Sequence, residues 1–114
     1  MITDWRTDEC TVVQVSGELD IATAPQLSDH LIALIRDGHR IVVELTEVEF
    51  MDSSGLEVLL RCHRAAECAG TGLILRRPSR RVVRLLELSG LTSYFLIETE
   101  LPVDTSRVPI PRLG

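Results

Sequence analysis

One stretch constrains this chain more than any other, because within about twenty residues it changes its hydrophobic period. Ile41-Val42-Val43-Glu44-Leu45 is an apolar run that reads as a buried strand. Thr46-Glu47-Val48-Glu49 reads as a short connection to Phe50 and Met51. Polarity then switches at Asp52-Ser53-Ser54, and Leu56, Leu59, Leu60 and His63 follow at i, i+3, i+4 and i+7, the spacing of one helix face. A strand feeding a helix through Asp-Ser-Ser is a junction with a chemical character. Side-chain oxygens there accept hydrogen bonds from the unpaired N–H groups of the first turn, and a hydroxyl stands beside the positive end of the helix dipole. Taken as residues alone, these positions are either simple caps or a presented hydroxyl.

The flanking chain supplies the rest of a sheet. Ile2 to Arg6 alternates weakly, Thr7-Asp8-Glu9-Cys10 suits a turn, and Thr11 to Val15 is rich in β-branched residues, so the two segments are expected to pair as an antiparallel hairpin. Ser16-Gly17-Glu18-Leu19-Asp20 breaks that pattern. Thr23-Ala24-Pro25-Gln26 fits a capping box, with Thr23 as N-cap, opening a helix whose apolar face is Ala24, Leu27, Leu31, Leu34 and Ile35. Asp37-Gly38 ends it. A strand over Arg40 to Leu45 and a second helix from about Ser54 to Ala69 follow, stopped by Gly70-Thr71-Gly72. Leu73-Ile74-Leu75 is a short strand, and Ser79 caps a third helix with Val82, Leu85 and Leu86 inward and Gly90 at its end. Tyr94-Phe95-Leu96-Ile97 is the last strand. The order β-β-α-β-α-β-α-β gives an α/β fold, a small mixed β-sheet with helices packed on it. One domain is expected over residues 1–101, with residues 102–114 a flexible tail in which Pro102, Pro109 and Pro111 deny regular structure.

Composition narrows the function classes. A chain of 114 residues suffices for one core. No apolar run approaches the ~20 residues of a membrane span, and the acidic start, Met1 to Glu9, lacks the basic and apolar regions of a signal peptide, so a cytoplasmic location is expected, with no membrane association. A net charge of −5 argues against direct nucleic-acid binding. Cys10, Cys62 and Cys68 are odd in number and show no C-x-x-C or histidine-spaced metal pattern; they read as buried or half-buried free thiols, and no metal or cofactor is expected.

Phe50-Met51-Asp52-Ser53-Ser54-Gly55-Leu56 resembles the signature of bacterial anti-sigma factor antagonists of the STAS family. Gly17-Glu18-Leu19-Asp20 followed by Thr23, and Leu88-Ser89-Gly90-Leu91, resemble two weaker landmarks of that family in the right order, and the likeness runs over roughly residues 3–100. The resemblance implies a protein that binds an anti-sigma factor, itself a serine kinase, and so frees a sigma factor. It implies that the kinase phosphorylates Ser53 and ends the complex, that a serine phosphatase resets it, and that the chain itself is no enzyme. It marks Ser53 as phosphate acceptor and Asp20, Asp52, Ser54, Gly55 and Glu57 as the partner-binding surround. Ser54, suited to an N-cap, is the competing acceptor. Asp20 is either part of the site or ordinary turn chemistry. Glu57 stands where relatives often have a small residue; it either stabilises the first helical turn or adjusts which kinase binds. A phosphate on Ser53 is expected to find the dipole and free N–H groups of the helix start. The alternative reading is a STAS structural subunit of a signalling assembly or a transporter-associated complex.

Two further constellations stand apart. Arg76, Arg77, Arg80, Arg81 and Arg84 place five cations in nine residues; with the chain at −5, the other residues carry −10 once these five are set aside. The cluster is a solvated helix face, a surface for an anionic partner, or a nucleic-acid contact. His63 reads as a packing histidine. A Ser53–His63–Asp20 hydrolase can be drawn on paper, but the G-x-S-x-G elbow is missing.

Overall fold

A computed structural model describes residues 1–98 of the chain. The elements are β1 (Ile2–Arg6), β2 (Thr11–Leu19), α1 (Ala24–Arg36), β3 (Ile41–Met51), α2 (Ser53–Cys68), β4 (Leu73–Arg76), α3 (Arg80–Ser89), a 3-10 turn at Thr92–Tyr94, and β5 (Leu96–Glu98). Strands lie in the order β1-β2-β3-β4-β5. The tight Thr7–Cys10 turn makes β1 antiparallel to β2, whereas the helix inserted between each later pair makes β2–β3, β3–β4 and β4–β5 parallel. The mixed sheet expected from the element order is the one observed. The expected tail, residues 102–114, lies outside the described residues.

The helices share one face of the sheet. Val13, Val15, Ile41, Val43, Leu45, Leu73 and Leu75 form a single buried cluster with Leu27, Leu31 and Ile35 of α1, Leu59, Cys62 and Ala66 of α2, and Val82 and Leu86 of α3. Strand alternation sends the intervening residues to the other face. There the register lines up Trp5, Val12, Val42, Ile74 and Leu96 in one row and Thr3, Gln14, Glu44, Arg76 and Glu98 in a neighbouring one. Glu44 is therefore not a core residue of the helix side. It is buried at 4% exposure on the opposite face, where Arg77 Nε and Nη2 donate to its two oxygens at 3.1 and 3.0 Å.

Several boundaries differ from the sequence expectation. β2 does not break at Ser16 but continues to Leu19, passing two irregularities of register, one on each side of Ser16-Gly17, with Gly17 at φ 85°. A bulge destroys the side-chain alternation without ending the backbone ladder, so the pattern stops where the strand does not. For the same reason the presumed connection Thr46–Glu49 is strand: β3 runs unbroken to Met51, pairing Gly17 with Val48 and Leu19 with Met51. The Thr23 capping box is not formed. The Thr23 hydroxyl turns back into the preceding loop, donating to the Glu18 carbonyl at 2.8 Å and accepting from the Asp20 N–H at 2.9 Å. Tyr94 lies in the 3-10 turn rather than in the last strand, and Phe95 is buried as the chain enters β5.

β2 and β3 thus overrun the rest of the sheet. β4 ends at Arg76, opposite Glu44, while β3 continues for seven residues beyond that point. The overrun carries the candidate site at its tip.

Candidate functional site

The tip is built from the two long strands. The Asp52 N–H donates to the Leu19 carbonyl at 3.2 Å, which brings the loop after β2 alongside the start of α2. Asp52, not Ser54, is the N-cap: its extended backbone turns the carboxylate over the helix start, where Oδ1 accepts from the Ser54 N–H at 2.8 Å and the Gly55 N–H at 3.4 Å. Two of the N–H groups expected to be free for a phosphate are consequently engaged already by a carboxylate of the chain itself.

Ser53 is the first helical residue and is exposed, while Ser54 is half-buried. Gly55 is buried, so its place is beneath the surface and not in it. A Cβ there would lie 2.8 Å from both Leu19 Cγ and the Leu19 carbonyl oxygen and 2.9 Å from Met51 Cγ. Only glycine lets α2 seat this closely on the ends of β2 and β3, and that seating aims Ser53 outward. Glu57 is exposed one turn after Ser53, at the i+4 position on the same helix face.

Asp20 occupies the neighbouring strand end. Its Oδ1 accepts from the Ala22 N–H at 3.0 Å and the Thr23 N–H at 3.2 Å, so its carboxylate organises the turn into α1. It stays half-buried beside the tip. Two apolar side chains near the strand ends, missed by sequence reasoning, are also exposed. Ile21 is 77% exposed and Phe50 is 45% exposed. Each sits within two residues of an acid of the site, and a lone apolar residue in a loop or strand ordinarily reads as core. The tip therefore presents a small hydroxyl near the carboxylates of Asp52 and Glu57, with Ile21 and Phe50 exposed at the ends of the two strands.

The hydrolase drawn on paper is not assembled. Ser53 and His63 lie ten residues apart on α2, about 15 Å at 1.5 Å per residue. His63 is buried against Phe95, with ring centroids at 5.4 Å, and its Nε2 lies 3.5 Å from Glu67. Among the described residues no group of three or more His, Cys, Asp or Glu side chains could hold a metal ion. Burial pushes the Cys62 thiol up to about 11, outweighing the opposing pull of Arg61 and Ser28. Cys10 is half-buried as expected, whereas Cys68 is exposed, because α2 turns that side outward at its last residue.

The arginine cluster divides in two. Arg77 is held by Glu44, and Arg76 lies 3.9 Å from Glu44 and 3.3 Å from Glu98. Arg80, Arg81 and Arg84 are exposed on α3, with no acidic partner among the described residues.

A five-stranded mixed sheet with helices on one face and a serine at the end of an overrunning central strand defines a class, and the comparisons agree with it. The STAS domain family model matches residues 3–105, and the chain belongs to that family. The anti-sigma-B factor antagonist of Bacillus subtilis (strain 168) is 34% identical over 79 residues, 69% of this chain and 72% of that protein. The solved structure of the anti-sigma factor antagonist SpoIIAA in its unphosphorylated form superposes with a TM-score of 0.75 at 27% identity, covering 97% of this chain and 99% of that one. The Bacillus cell fate determinant SpoIIAA in its phosphorylated form superposes at 0.70 with 28% identity, covering 94% and 100%. No helix among the described residues is long and apolar enough to cross a membrane.

Proposed function

We propose that this protein is an anti-sigma factor antagonist switched by phosphorylation of Ser53. Unphosphorylated, it binds an anti-sigma factor that is also a serine kinase, and a sigma factor is released. The kinase transfers the γ-phosphoryl group of ATP to the Ser53 oxygen and the complex separates; a serine phosphatase removes the group. The observation that carries this reading is the exposed Ser53 hydroxyl at the first turn of α2, held in place by the Asp52 cap and the close seating of Gly55. Relatives with antagonist names, one of them solved with and without phosphate, support it.

The physics of the switch follows from the cap. A phosphoserine adds about −1.5 to −2 charges at neutral pH. Because the Asp52 carboxylate occupies the Ser54 and Gly55 N–H groups, the phosphate has no place on them and stays directed outward, between Asp52 and Glu57. Modification leaves the helix start intact and changes only the charge and bulk at the tip. A partner surface shaped for a neutral hydroxyl then meets repulsion and the cost of desolvating a dianion. Near-identical amide NMR spectra of the two forms, with shifts confined to the tip, are expected; shifts spread through the sheet would refute a local mechanism.

The test is intact mass after incubation with ATP and each candidate anti-sigma kinase of the same genome, on wild type and Ser53→Ala. One added phosphate, absent from Ser53→Ala, supports the reading. Phosphate persisting in Ser53→Ala moves the acceptor to Ser54. Neither phosphate nor binding with any kinase overturns the reading in favour of a structural subunit of a larger assembly.

A further inference from the structure

The outer face of α3 runs against local helix preferences. Arg80 and Arg81 stand in its first turn, against the positive end of the helix dipole, with no acidic residue there. Arg84 is three and four residues further on, so like charges meet at both helical spacings. Leu88 is 77% exposed. At 3.6 residues per turn, Arg80, Arg81, Arg84 and Leu88 fall within about 100° of one another, opposite the buried Val82 and Leu86. Glu87 borders the stripe but forms no ion pair with it among the described residues. Local conflicts of this kind, without internal compensation, mark surfaces shaped by something outside the molecule.

Position says what that something is. α3 starts beside the overrun of β3, where Val48, Glu49, Ser79, Arg80 and Arg81 line a surface hollow of ≈ 480 Å³. From Val48 to the strand end at Met51 is three residues, about 10 Å along a strand. A specific interface takes roughly 800 Å² per partner, a patch about 30 Å across, so one partner seated on Ser53 reaches α3 as well. The two parts of that footprint differ in sign: carboxylates lie around the serine, whereas α3 presents Arg80, Arg81 and Arg84, which form no ion pair among the described residues. We infer that the Arg80–Arg81–Arg84–Leu88 stripe is a second docking patch for the same partner, fitted to an acidic surface carrying an apolar seat for Leu88. It gives attraction that phosphorylation of Ser53 does not touch, steering encounter while the serine decides whether the complex persists.

The inference rests on the proposed function, and the experiment separates the two. Affinity and association rate for the candidate anti-sigma kinases of the same genome are measured at 50 and 300 mM salt for wild type, Ser53→Glu, Arg81→Glu/Arg84→Glu and Leu88→Ser, after denaturation curves establish equal folding. Support is wild-type binding abolished in Ser53→Glu, weakened at least tenfold in the double arginine variant mainly through a slower association rate, and made less salt-dependent there. Leu88→Ser is expected to lose about fivefold through faster dissociation; it touches no charge and tests the patch should the double variant fold poorly. Loss in Ser53→Glu with unchanged affinity in both α3 variants overturns the docking patch and leaves the switch standing. Absence of wild-type binding to every candidate overturns both.

Discussion

The starts of α2 and α3 lie at the C-terminal ends of neighbouring parallel strands, yet they are secured by different means. At α2 an aspartate carboxylate covers the first N–H groups, no cation is nearby in sequence, and a glycine lets the helix settle onto Leu19 and Met51. At α3 the N-cap serine makes no cap bond, its Oγ is buried without a partner, and two arginines follow. What holds α3 is a residue three positions before its start. Arg77 adopts φ 47°, a left-handed conformation unfavourable for a side chain of its size, and a two-point hydrogen bond to Glu44 retains it there. One helix start is consistent with its own local sequence and presents a hydroxyl in a defined place. The other is pinned by tertiary contacts and leaves its cations turned outward. The difference separates a helix start ordered by its own local sequence from one ordered by tertiary contacts.

That contrast can be broken in order of expected effect. Gly55→Ala forces a methyl group against backbone and side chain of the adjoining strand ends and is expected to cost about 3 kcal/mol in urea denaturation. It should also lower phosphorylation of Ser53 in the population that remains folded. A loss below about 1 kcal/mol would show that α2 can shift without penalty and that the close seating does not aim the serine. Glu44→Ala leaves Arg77 without its partner. Because the Arg77 side chain is 35% exposed and can recover water, the expected cost is about 2 kcal/mol, below that of a fully buried pair. Amide exchange should rise first at the start of α3; a rise confined to β1 and β2 would contradict the pinning.

Asp52→Ala removes the cap of α2 and is expected to cost about 1 kcal/mol. Asp52→Asn keeps an accepting oxygen and should recover most of it. The counterpart at α3 is the sharpest comparison, because both positions are N-caps by geometry. Ser79→Ala removes a hydroxyl with no hydrogen bond from a buried place, so the expected change is under about 0.5 kcal/mol, with either sign permitted. A cost for Ser79→Ala equal to that of Asp52→Ala would mean that α3 is capped after all and that the two starts are alike.

Much of this was legible in the residues. Element order follows from hydrophobic period and from Gly38, Gly70 and Gly90 at helix ends, and order with short connections leaves few sheet topologies. The place of Ser53 at a strand–helix junction was legible because Asp-Ser-Ser-Gly after an apolar run is a dense local signal. The misses share a physical cause. The continuation of β2 and β3 through Ser16-Gly17 and Thr46–Glu49 depends on backbone hydrogen bonds between segments thirty residues apart, and bulges erase the alternation that reports them. Thr23 left its capping box because the Glu18 carbonyl came within reach once β2 ran on to Leu19. Glu44 is the one charge in an apolar run; its partners Arg76 and Arg77 arrive from the end of β4 and the loop after it.

By itself the sequence determined the class of fold, the junction that holds the serine and the chemistry available there, since propensity, period and capping act over a few residues. Only the tertiary structure decided that Asp52 rather than Ser54 caps α2, that Gly55 is a seat and not a surface, and that Ile21 and Phe50 stand exposed near the strand ends. It also decided which arginines are neutralised and which face outward. Those outcomes depend on which strand ends meet, and distances between remote segments are set by packing of the whole core, not by any stretch of the chain read alone.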